Sequence, residues 1–219
     1  MLGRLPLVRK FFQMFRNDFD SEAYWSNRYE QGRNSGAGSY GRLADYKAEV
    51  INSLVNEFEI SSVLEFGSGD GNQASLFEID TYTGLDVAHQ VVEAARERFK
   101  DRAGWSFDTV KNANTAPRSR DMTMSLDVIY HLVEEAVFDR YMADLFAASD
   151  RFVLIYASDH NALTLNSHVK HRCYSDWVNA NAPEFGAIRT LKSPFPKTAM
   201  SDTKDTSFAF FRLYQRLEA

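Results

Sequence analysis

Two carboxylates and three glycines stand at spacings that could hold a ligand. The stretch Glu65-Phe-Gly-Ser-Gly-Asp-Gly71 ends a short apolar run, Ser62–Phe66, and sets Gly67, Gly69 and Gly71 at alternate positions. Asp86 closes the next apolar run, 21 residues beyond Glu65. Glycines let a backbone turn sharply and approach a ligand, and an acid at the end of the following strand can accept both hydroxyls of a ribose. Five histidines, His89, His131, His160, His168 and His171, are the candidates for acid–base work near neutral pH. His131 and His160 each follow an apolar run, at the strand ends where open α/β sheets place active sites. His168 and His171 stand three apart and precede Arg172, so on a helix the two histidines would share a face.

The elements that must position these groups alternate in kind. Apolar positions Val50, Ile51, Leu54, Val55 and Phe58 predict a helix over 44–58, ahead of the strand Ser62–Phe66. Further helices are predicted over 73–79, 88–99, 133–148 and 169–180. Strands are predicted at Tyr82–Val87, Trp105–Phe107, Met122–Leu126 and Arg151–Ala157. Residues 111–121 read as a polar linker, and Ile188–Leu191 and Ser207–Tyr214 as closing strands in an antiparallel hairpin. Such alternation predicts a parallel sheet with helices on both faces. Gly32, Gly36, Gly38 and Gly41 mark a loop ahead of it.

The acids decide between ligands. A dinucleotide loop calls for Gly-x-Gly-x-x-Gly, whereas Asn72 stands where its last glycine would be. Glu65 beside the loop would repel a pyrophosphate and suits a ligand carrying an ammonium group. S-adenosylmethionine (SAM) carries an ammonium and a sulfonium. An NAD-dependent oxidoreductase and a non-catalytic SAM-binding module are the alternatives.

On these motifs the region from about 44 to 214 resembles a class I SAM-dependent methyltransferase. Glu65–Gly71 matches that family's first motif, and Gly84-Leu-Asp-Val87 its second. Ser125-Leu-Asp-Val-Ile-Tyr-His-Leu132 matches the motif closing its fourth strand. Tyr24-Trp-Ser-Asn-Arg-Tyr29, Asn34–Leu43, His168–Arg172 and Trp177 resemble a subgroup of small bacterial methyltransferases. The resemblance covers most of 21–217. It implies a Rossmann-like, seven-stranded, mostly parallel sheet of order 3-2-1-4-5-7-6, with strand 7 antiparallel. It places Gly67, Ser68, Gly69, Gly71 and Asn72 around the cofactor, Glu65 at its amino end, and Asp86 and Val87 at its ribose. Leu126 and Asp127 would flank the methionine portion, and Asp108 the adenine. Tyr24, Trp25, Tyr29 and Arg42 would form a lid, with the Arg42 fork on the methionine carboxylate. His131, His168 and His171 are the catalytic candidates, and Tyr130, His160 and Arg172 the acceptor contacts.

Composition bounds the rest. The 219 residues are 44% hydrophobic and carry a net charge of −5, which suits one folded domain and is a poor default for nucleic-acid binding. Asp127-Val-Ile-Tyr130 also lacks the paired prolines that nucleic-acid amino methyltransferases place after strand four. The lone Cys173 excludes a disulfide within the chain, and no histidine spacing supports a metal site. The expected division is a basic amphipathic leader over 1–20, a lid segment over 21–43 that cofactor could order, and a SAM-binding domain over 44–219. Arg4, Arg9, Lys10 and Arg16 in the leader suggest peripheral contact of residues 1–16 with an anionic membrane, or packing on the domain. No signal peptide is read there, so the expectation is a cytoplasmic enzyme. It would methylate a hydroxyl of a small-molecule or glycan acceptor, an anionic one if Arg172 and the histidines touch it, with a histidine as base.

Overall fold

A computed structural model of the chain describes residues 19–113, 119–198 and 204–218. The expectation for the leader falls on residues 1–18, outside the described ones. The strands are β1 (Ser62–Phe66), β2 (Thr81–Asp86), β3 (Trp105–Thr109), β4 (Arg120–Leu126), β5 (Ser149–Ala157), β6 (Phe185–Lys192) and β7 (Phe210–Arg216). The helices are α1 (Ser21–Glu30), α2 (Gly41–Glu57), α3 (His89–Arg98), the single turn α4 (Val110–Ala113), α5 (Glu135–Ala147) and α6 (Tyr174–Asn181). The strands form one sheet of order β3-β2-β1-β4-β5-β7-β6, with β7 antiparallel to both neighbours. This is the order that the resemblance implies.

The sheet is buried on both faces. Ile51, Leu54 and Val55 of α2 and Val92 and Ala95 of α3 pack with Val63 and Tyr82 on one side. Phe138, Met142 and Leu145 of α5 and Val178 of α6 pack with Leu64, Phe66 and Ile155 on the other. Parallel strands covered twice read as near-continuous apolar runs, which is why β5 stands out in the sequence, whereas β4 alternates Met122, Met124 and Leu126 with the buried Thr123 and Ser125.

Four local expectations change. The helix expected over 73–79 is only a 3-10 turn at Ala74–Leu76. The side-chain amides of Asn72 and Gln73 donate to Ser39 O and Ala44 O, while Phe77 and Ile79 are both buried, and a two-residue burial period pulls the chain straight. The helix expected over 169–180 begins at Tyr174. Upstream, Lys170 N donates to Tyr130 O and His171 pairs with Ala162 in an isolated bridge, so His168 and His171 share no helical face. The linker expected over 111–121 gives way to strand at Arg120. The lid contains a helix, α1, which the glycine content of the loop after it concealed. Asp20 Oδ1 caps α1 by accepting from Ala23 N at 2.8 Å, and Glu134 accepts from Ser21 N at 2.8 Å and Ser21 Oγ at 2.7 Å. The division at 43/44 falls inside α2.

Candidate functional site

A cavity of about 870 Å³ opens at the C-terminal ends of β1, β2 and β4, under α1. The glycine loop forms its inner floor. Gly67 N and Ser68 N both donate to Leu85 O, at 2.7 and 2.9 Å, which folds the loop back over β2. Gly69 has φ +57°, and a Cβ there would overlap Ser35 Oγ of the segment lying across it. Only glycine meets both demands without strain. Asp86 Oδ2 accepts from Gly69 N at 2.9 Å and Oδ1 from Ala88 N at 3.0 Å. Each oxygen keeps a second lone pair, so the carboxylate can still take two hydroxyls. Burial raises the Asp86 pKa against these backbone bonds.

Glu65 is fully enclosed beside this floor. Tyr82 Oη donates to its Oε2. Burial pushes its carboxyl up to about 7, against the Tyr82 bond and the nearby Lys47 charge. A cation entering the cavity would favour its ionised form.

The loop after α1 is strapped over the glycines. Ser35 N donates to Asp70 Oδ2 and Asp70 N to Ser35 Oγ, both at 2.9 Å, and Tyr40 Oη donates to the same Asp70 oxygen at 2.9 Å. Tyr29, also in the cavity wall, lies 3.1 Å from Ser35 Oγ and is raised in pKa by burial.

The outer end is aromatic. Tyr24 stacks on His168 at 4.9 Å and 9°, and His168 on His131 at 5.5 Å and 15°. Trp25 stands edge-on to His131 at 4.9 Å. His131 Nδ1 lies 2.8 Å from the His168 carbonyl oxygen. A carbonyl only accepts, so Nδ1 carries the proton and Nε2 keeps the lone pair. Burial lowers the His131 pKa to about 4, so the ring is neutral at pH 7. Between the two ends Asp127, at φ +60°, accepts from Lys47 Nζ and from Tyr130 Oη, each at 2.7 Å.

The structure thus gathers Tyr24, Trp25, Tyr29, Glu65, Gly67, Ser68, Gly69, Asp86, Val87, Leu126, Asp127, Tyr130, His131 and His168 around one cavity. The other candidates are absent from its wall. Arg42 spends its fork on Asp205 O, at 2.9 and 2.5 Å, and lies over the Phe195 ring. Gly71 backs onto Phe99, Asn72 holds the strap through Ser39 O, and Asp108 pairs with Arg96 at 3.1 Å. His171 bonds Ser158 Oγ at 2.7 Å and stacks on the exposed His160 at 5.1 Å, away from the cavity. Arg172 is 8% exposed. It donates to Leu132 O, Val133 O and Glu135 Oε2 at 2.6, 2.8 and 3.0 Å, which makes it a brace.

Sequence reasoning missed Lys47, Gln73 and Arg28, which also line the cavity. Lys47 had a signal. It falls four residues after Leu43 and four before Ile51, inside the buried stripe of α2, where a lysine is costly without a purpose. Gln73 and Arg28 sit in turns and half-buried faces where polar residues carry no signal.

No family model matches the chain, and its sequence matches no curated protein. Solved structures match its fold. The methyltransferase domain of a bacterial protein, CtHen1-C, is 17% identical with a TM-score of 0.60, covering 78% of this chain and 97% of that one. The N-methyltransferase NodS from Bradyrhizobium japonicum WM9, in complex with S-adenosylhomocysteine (SAH), is 13% identical with a TM-score of 0.62, over 80% and 88% of the two chains. Magnesium protoporphyrin IX methyltransferase (ChlM) from Synechocystis PCC 6803, with bound SAM, is 15% identical with a TM-score of 0.61, over 90% and 98%. The chain therefore has the fold of the class I SAM-dependent methyltransferases.

Proposed function

We propose that this chain, built on the class I methyltransferase fold, moves a methyl group from SAM to a hydroxyl of a small-molecule or glycan acceptor, with His131 as the base. The observation that carries the reading is the single cavity joining the glycine loop, Glu65 and Asp86 at one end to His131 at the other. SAM, when bound, supplies a methyl group on a sulfonium, a leaving group that needs little help. Asp86 would accept the ribose hydroxyls, Gly67 and Gly69 would lie beneath, and Glu65 would face the ammonium.

The rest of the work is placement and a proton. A hydroxyl that takes a methyl group becomes far more acidic than an imidazolium, so a weak base suffices. His131 Nε2 would accept that proton, while the His168 carbonyl holds Nδ1–H and steadies the charged ring. Tyr24 and Trp25 offer ring faces and edges against which a sugar or flat acceptor can lie. The anionic acceptor loses its main support, because Arg172 is spent on backbone carbonyls.

The oxidoreductase reading is disfavoured on the same ground. A pyrophosphate would meet the carboxylates of Glu65 and Asp86, and only a 3-10 turn follows the loop, not the helix N-terminus that cradles phosphates. Incubation with methyl-labelled SAM and parallel panels of sugars, phenols and amines tests the proposal. Label on hydroxyl acceptors, lost in His131→Ala, is the expected result. Label on amines alone, or undiminished label in the variant, would overturn it.

A further inference from the structure

The ion pairs around the cavity leave one cation over. Glu22 is matched by Lys111 at 2.6 Å, Asp144 by Arg140 at 3.9 Å and Asp127 by Lys47 at 2.7 Å, and all six residues line the cavity. Arg28, in the last turn of α1, lines it too and has no carboxylate partner among the described residues. Its Nε donates to Asn34 O at 2.9 Å, which fixes the plane of the guanidinium. Nη1 and Nη2 have no acceptor among the described residues, so the outer edge of the fork keeps two parallel N–H donors. The guanidinium carbon lies 5.6 Å from the Trp25 ring centroid, and the His131 ring stands 4.9 Å from the same indole. Both outer imidazoles feel this charge. Burial first, and then Arg28, hold the His168 pKa down, and Arg28 adds to the larger effect of burial on His131.

With the outer end of the cavity read as the acceptor site, we propose that Arg28 selects a monoanionic acceptor, a ring that carries a carboxylate for the guanidinium and a hydroxyl for His131. The indole of Trp25, flanked by both groups, gives that ring a surface to lie on. The planar fork matches a carboxylate in shape as well as charge. A neutral acceptor would displace water from the fork and return no acceptor atom to it. A phosphomonoester dianion is disfavoured, because Asp20, Glu22, Glu134 and Asp144 share this wall. A carboxylate seated on Arg28 also offsets the charge beside His131, so the base strengthens as the acceptor arrives. The role that the sequence pattern offers to Arg172 thus passes to Arg28, since Arg172 is spent as a brace.

The test uses two matched pairs of probes, 4-hydroxybenzoate with 4-hydroxybenzamide and D-glucuronate with D-glucuronamide. Each is titrated by calorimetry into the SAH complex of wild type and of Arg28→Gln. In wild type at least one carboxylate is expected to bind about tenfold more tightly than its amide, the worth of one charge-assisted hydrogen bond. Arg28→Gln should erase that preference and leave the affinities for the amide and for SAH within about twofold. A wild type that binds SAH but neither carboxylate, or that shows no preference for one, would refute the role of Arg28 and leave the reading of the site standing. A preference that survives in Arg28→Gln would refute it too. A tenfold loss of SAH affinity in Arg28→Gln would give the guanidinium to the cofactor's own carboxylate and overturn the proposal. A wild type that binds no SAH would overturn the reading of the site, and the role of Arg28 with it.

Discussion

The inner floor of the cavity is made from one stretch of chain, and the outer end from three. Glu65, the glycines and Asp86 all fall within residues 62–88, on two adjacent strands and the loop between them. Trp25, His131 and His168 come from α1, the turn after β4 and the segment after β5, and they meet only because those segments converge. Burial acts on both ends with opposite sign. It raises an acid, Glu65, to about 7 and lowers a base, His131, to about 4. The inner end is thus prepared to gain charge when a cation arrives. The outer end is held neutral with a lone pair on its ring.

If the two ends do different work, substitutions should separate them. His131→Ala should lower turnover by about 10²–10⁴-fold, the usual range for a lost general base, with SAH affinity within twofold. Steady-state rates and calorimetry on one preparation check this, and a matching loss of affinity would merge the two ends. The pH dependence should separate them next. SAH binding draws on ionised Glu65, so its affinity should fall about tenfold per unit below pH 7, and Glu65→Gln should abolish the slope. The same group has the opposite effect on folding. Its raised pKa contributes stability below about pH 4.5 that is lost as pH rises through about 7. The lowered pKa of His131 contributes stability above pH 6.5 that is lost as pH falls toward about 4.

Two arginines give smaller effects and test the boundary of the site. Arg172→Ala should cost about 2–3 kcal/mol, a few degrees in thermal unfolding, because it strands the Leu132 and Val133 carbonyls, with acceptor KM unchanged. A raised KM at unchanged stability would return Arg172 to the acceptor site. Arg42→Ala should leave SAH affinity within twofold, since its fork lies on Asp205 O outside the cavity.

This division also sets what the sequence discloses. The alternation of strands and helices and the inner floor are legible because strand, glycine loop and terminal acid are local patterns, fixed by burial period and by φ values that favour glycine, whereas the sheet order follows only from the family resemblance. The outer end is not legible. His168 and His171 share a spacing that suits a helix, but the bond from Lys170 N to Tyr130 O holds the segment extended and sends the two rings to different neighbours. Arg172 and Arg42 carry the charge and fork of a ligand contact, and only tertiary structure reveals that backbone carbonyls consume them. Lys47 lay between these cases, visible as a charge in an apolar stripe but silent about what it faces.

Thermal unfolding with SAM, SAH and NAD, on wild type and Asp86→Ala, tests the central claim most directly. A ligand at about 100 times its Kd should add roughly 2.7 kcal/mol to the stability of the chain. A rise of a few degrees with SAM and SAH, absent with NAD and lost in Asp86→Ala, is the predicted result. A rise with NAD alone, or one with SAM that survives in Asp86→Ala, would contradict the account.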